Sequence, residues 1–124
     1  MNMKLHSTLA ALGLSLALAS AAHAQAVQGL DGDWLGTLET GGPSLRLVMH
    51  VVTKDGATTA TLDSLDQNAL GIPVGSVTRE GQKVTFDVPV VTGSYTATLA
   101  QDGKSLAGAW SQGGNELPLA MTKK

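Results

Sequence analysis

The chain has no cysteine, no run of like charge beyond a terminal Lys123-Lys124, and no apolar stretch long enough to span a bilayer. Each absence excludes something. Without cysteine there are no disulfides, no thiolate zinc site and no residue to lipidate behind a leader. The longest apolar run, "LAALGLSLALA" at 9–19, is about half of the roughly 20 residues a spanning helix needs. The basic residues are scattered, so nucleic acid and anionic membrane surfaces have little electrostatic support. No segment after residue 26 carries a helical period.

What is present at the N-terminus reads as an address. Lys4 supplies positive charge, the apolar run follows, and Ala22-His23-Ala24 or Ala24-Gln25-Ala26 offers small residues at cleavage spacing. That is the order of a secretory signal peptide. The expectation is a signal-peptide helix over 1–24, with cleavage after Ala24 or Ala26, export to a bacterial periplasm or medium, and no stable membrane anchor. The remainder, 27–124, is expected to be a single small domain. After cleavage it carries seven Lys/Arg against ten Asp/Glu.

Turn dipeptides punctuate that remainder: "TGGP" (40–43), "KDG" (54–56), "EG" (80–81), "VTG" (91–93), "QDG" (101–103) and "QGG" (112–114). Asp-Gly and Gly-Gly suit tight hairpins because glycine accepts positive φ. Between them the apolar pattern has period two: Leu45, Leu47, Met49 and Val51; Val84, Phe86 and Val88; Tyr95, Ala97 and Leu99; Leu106, Gly108 and Trp110; Leu117, Leu119 and Met121. Alternation sends one set into a core and the other into water. The expected fold is all-β, an antiparallel up-and-down meander of eight strands near 33–40, 44–53, 57–63, 71–78, 83–89, 94–100, 105–111 and 116–122. Such a meander closes, or nearly closes, into a lipocalin-like barrel; a flattened sandwich is the alternative. "DSLDQNALGIP" (63–73) is expected to be the one long connection. A domain this small needs a well-filled interior, which weighs against a large cavity.

Several residues are candidates for function. In a closed barrel the first and last strands pair, which would bring Trp34 and Trp110 towards one end, either as a wall for an apolar ligand or as a plug. Asp63, Asp66 and Gln67 form the densest polar stretch, suited to a recognition loop or to capping an ordered turn. They lack the further oxygen donors of a calcium loop. His50 is the one histidine after residue 24 and is expected on an outer strand face, so no metal and no cofactor is expected. "GKSLA" (103–107) misses the last glycine of a nucleophile elbow and lies across a hairpin, so no catalytic residue is assigned. Val48 and Val52 make the second strand apolar on both parities, which fits either two-sided burial or an exposed docking patch.

"GDWLGTL", "LDSLDQNALGIPVGSVT" and "LAGAWSQGGNELPLAM" together resemble the small β domain that precedes the catalytic domain in many secreted bacterial α/β-hydrolases. The matching positions are Gly32, Trp34 and Gly36; Ser64, Asp66, Gln67, Gly71, Ile72 and Pro73; and Gly108, Trp110, Gln112, Gly113 and Gly114. The resemblance implies an accessory, non-catalytic module. These residues include no hydrolase domain, so no esterase or peptidase activity is expected. The Gly-x-Trp opening is also similar to lipocalins and avidins, but the lipocalin loops and helix and the extra biotin-enclosing tryptophans are lacking.

Three readings follow. The first is an exported, non-enzymatic module that binds a protein partner, such as a separately encoded hydrolase, or a small apolar ligand, through Trp34, Trp110, Asp63, Asp66 and Gln67. The second is a self-associating structural protein using the doubly apolar strand. The third is a minimal hydrolase using Asp63 and Asp66.

Overall fold

A computed structural model describes residues 25–124, so the signal-peptide reading of 1–24 lies outside the described residues. Nine strands and two short 3-10 turns follow in order: β1 (Gly32–Glu39), β2 (Ser44–Lys54), β3 (Ala57–Ser64), η1 (Leu65–Gln67), β4 (Ala69–Pro73), β5 (Ser76–Glu80), β6 (Lys83–Val88), η2 (Pro89–Val91), β7 (Gly93–Leu99), β8 (Ser105–Gln112) and β9 (Asn115–Lys123). They form one antiparallel sheet in the spatial order β4-β3-β2-β1-β9-β8-β7-β6-β5, curled into a half-barrel. The first and last strands pair, with Trp34 opposite Lys123 and Gly36 opposite Met121.

The strand count is nine where the sequence pattern predicts eight. The segment expected as one strand over 71–78 is two, and the break has a physical cause. Pro73 has no N–H to donate, and at Val74-Gly75 the chain changes partner. The Val74 N–H donates to Ala60 O on β3 (3.1 Å), and the Gly75 N–H donates to Asp87 O on β6 (2.7 Å). A Cβ on Gly75 would lie 2.8 Å from the Pro89 ring, so only glycine passes there. β4 and β5 are thus the two edges of the sheet and consecutive in the chain. The expected long connection at 63–73 is also corrected, because it folds into η1 followed by β4.

Alternation decides the core as expected. Leu47, Met49 and Val51, Val84, Phe86 and Val88, and Tyr95, Ala97 and Leu99 all face inward and are buried. The Tyr95 ring stacks on Phe86 (6.0 Å between centroids), and its hydroxyl donates to Leu119 O at 2.8 Å. Burial pushes the Tyr95 hydroxyl pKa well above its ordinary value, so it stays a donor. These rings fill the interior between the two ends of the curl.

The two ends differ in construction. One carries the 40–43 turn, η1, η2 and the 113–114 turn. The other carries the 55–56, 81–82 and 100–104 turns together with the N-terminal segment 25–31. Below the β4–β5 switch, β3 and β5 diverge around a cleft of about 810 Å³. The N-terminal segment lines it: the Thr58 N–H donates to Gln25 O (3.2 Å), the Val27 N–H to Thr58 Oγ1 (2.8 Å), and Arg79 Nη1 to Gln28 O (2.8 Å).

Candidate functional site

Trp34 and Trp110 lie at opposite ends, not together. Trp34 is opposite Lys123 and Trp110 opposite Leu117. Six residues of β9 at about 3.3 Å each separate the two levels. Trp34 is fully buried; its Nε1–H donates to Leu30 O (2.9 Å), and Lys123 Nζ sits 5.2 Å from a ring centroid. Leu30, also fully buried, arrives from the N-terminal segment. Every polar need of Trp34 is met by the chain itself, so this indole is a plug.

Trp110 has a different setting. It borders a pocket of about 310 Å³ at the η1/η2 end. Leu38, Leu47 and Leu62 are its buried apolar walls, and Leu45, Ile72 and Val91 its half-buried ones. Ser64, Gln67 and Gln112 supply the polar groups. The Trp110 Nε1–H donates to Gln112 Oε1 (2.9 Å), Gln112 Nε2 donates to Val91 O (2.9 Å), and Ser64 Oγ donates to Gln67 Oε1 (2.7 Å). The indole lies against Gly93, where an added Cβ would strike the six-membered ring. The exposed side chains Leu65, Leu70 and Val90 belong to the same end.

Gln67 and Trp110 are therefore brought to one pocket, whereas Asp63 and Asp66 are not among its walls. Asp66 pins η1 to β2, accepting from the Arg46 backbone N–H (2.7 Å) and from Arg46 Nη2 (2.8 Å). The Arg46 guanidinium holds the Asp66 carboxyl below its ordinary range. Asp63 accepts from the Gly71 N–H (2.8 Å) and faces His50 Nε2 (2.8 Å); the Gly71 bond first, then His50, holds its carboxyl low. Both carboxylates thus brace the loop they come from. A hydrolytic general acid needs the opposite shift.

His50 faces outward as expected, but not freely. Its Nδ1 meets Asp33 Oδ1 on β1 (2.8 Å), opposite the Asp63 contact from β3. Carboxylates on both nitrogens call for protons on both, and Asp63 and then Asp33 raise its pKa. Among the described residues no group of three or more His, Asp or Glu is placed to hold a metal. This clasp also interrupts the apolar parity of β2: Val48 is half-buried, Val52 is exposed, and His50 sits between them.

Gln112 enters the sequence reading only as a motif position and not as a site residue, although its spacing two residues from Trp110 puts both on one face of β8. The sequence reading also passed over Arg46 as the partner of Asp66, since no local pattern links residues 20 apart. No known protein family matches this chain, and no curated protein shows detectable similarity to it. Five of the motif residues named above (Ser64, Gln67, Ile72, Trp110 and Gln112) line this one pocket.

Proposed function

We propose that the chain is an exported, non-catalytic binding module that takes a small apolar ligand into the pocket beside Trp110. The observation that carries this reading is the convergence there of two segments some forty residues apart, 64–72 and 110–112, on an apolar cavity fringed by amides. The volume, about 310 Å³, sits at the small end of ligand pockets. We also read the curl as a nearly closed lipocalin-like barrel; the hydrogen bonds from Val74 and Gly75 to the strands on either side support closure along that seam. The non-catalytic reading draws on Asp63 and Asp66 being committed to structural bonds.

Indole fluorescence and thermal shift against a panel of small apolar compounds test the proposal. In Trp34→Phe only Trp110 reports, and a saturable change in its emission is expected. A panel that leaves Trp110 and the melting temperature unmoved defeats the proposal. A pull-down from exported extract covers the rival partner. Capture of a separately encoded hydrolase, lost in Leu70→Ser or Val90→Ser, would move the function to the exposed rim. Sequencing of the exported chain from its N-terminus, expected to start at Gln25 or Val27, tests export.

A further inference from the structure

Resting on that pocket as the binding site, we infer that its ligand is an uncharged compound whose apolar body carries a carbonyl acceptor: an ester, an amide or a ketone. Among the described residues, the pocket lining holds no ionisable side chain. The charged pair that anchors η1, Arg46 and Asp66, bonds to itself and lies outside that lining. A carboxylate entering the pocket would give up hydration with no cation to replace it, and an ammonium would meet no carboxylate.

The polar groups define what remains. Indole Nε1 only donates and a backbone carbonyl only accepts, so the Gln112 amide has one possible orientation. Its Oε1 faces Trp110 and its Nε2 faces Val91 O, which leaves one N–H over. On Gln67, Oε1 accepts from the Ser64 hydroxyl, and Nε2 has no protein acceptor among the described residues. Both glutamines are exposed, and no buried polar side-chain atom is left unpaired among the described residues. The mouth thus offers donors that water satisfies in the free chain. A carbonyl oxygen accepts and does not donate, so it replaces that water without leaving a hydrogen of its own unmet. The volume equals about ten waters, which selects a short acyl chain over a long lipid.

The purified full chain is titrated with methyl hexanoate, hexanoate and hexane at neutral pH, read by indole fluorescence and thermal shift. Gln67→Leu, at an exposed position, is run in parallel, with its own melting curve as the folding control. The ester is expected to bind about tenfold or more tightly than either companion, as one to two hydrogen bonds allow. In Gln67→Leu its advantage over hexane is expected to shrink, the Gln112 N–H being the donor that remains. Equal binding of all three, preference for hexanoate, or an ester preference that Gln67→Leu leaves intact overturns the carbonyl assignment and spares the pocket. Binding of none overturns the pocket reading, and this assignment with it.

Discussion

Two tryptophans close the two ends of one curled sheet, and they do so by different means. At the N-terminal end the Trp34 indole donates to backbone, carries Lys123 over its face and is covered by Leu30 from a segment that crosses the cleft between β3 and β5. At the η1/η2 end the Trp110 indole donates to a side chain, rests on Gly93 and borders open volume. One end is finished by the chain itself. The other ends in short turns, exposed apolar side chains and amide hydrogens turned to water. The same residue type is thus a plug where the chain completes its surroundings, and a wall where volume is left open beside it.

Trp34→Ala breaks the comparison hardest. It removes a fully buried indole that nothing can refill, and a loss of about 3–5 kcal/mol in denaturant unfolding is expected. Trp110→Ala, beside an existing cavity, is expected to cost about 2–3 kcal/mol and to abolish ligand-dependent thermal shift. Near-equal losses for the two variants would erase the difference between the ends. Gly93→Ala acts on the open end alone: the added methyl pushes the indole off its seat, at about 1–3 kcal/mol, with a shift in Trp110 emission recorded in the Trp34→Phe background.

The pH dependence separates the outer clasp from the pocket rim. His50 has its pKa raised above 6.5, so its stabilisation is fully present below about pH 6.5 and fades as pH climbs through the raised value. Asp33 from β1 and Asp63 from β3 face it, and Arg46, four residues away on β2, shares its parity. In His50→Gln the melting temperature should fall less between pH 6 and 9 than in the unaltered chain. The Arg46–Asp66 tie behaves oppositely. Asp66 is held below 3.8, so η1 keeps its anchor above that value and loses it only as pH falls through the lowered one. Ligand binding should therefore survive mild acid; its loss at pH 5 would detach the rim from this salt bridge. The smallest effect is expected at Thr92, a β-branched residue at φ 52 that ends η2. Thr92→Gly should raise stability by up to about 1 kcal/mol in denaturant melts, since glycine holds that conformation without strain.

Much of the sheet was legible because period-two alternation is a local code. Met49, Phe86, Tyr95 and Leu106 declare their side of the sheet through their neighbours alone. The split of 71–78 was not legible in the same way. It depends on Gly75 passing Pro89, a residue fourteen positions on, and on the chain leaving one partner strand for another. Among the expected site residues, Gln67 and Trp110 lie at the pocket, while Trp34, Asp63 and Asp66 have structural tasks. A polar loop rich in aspartate looks the same in sequence whether its carboxylates meet a ligand or an arginine from another strand.

The sequence by itself determined the all-β class, the antiparallel meander, most of the hairpin turns and which parity of β6, β7, β8 and β9 is buried. These follow from φ at glycine and from side chains alternating across a pleat. Tertiary structure alone decided that β4 and β5 are separate edges, that His50 is held between Asp33 and Asp63, and that Trp110 keeps a cavity while Trp34 does not. The reason is the same in each case. Strand curl brings together residues far apart in the chain, and the fate of a side chain depends on what arrives opposite it.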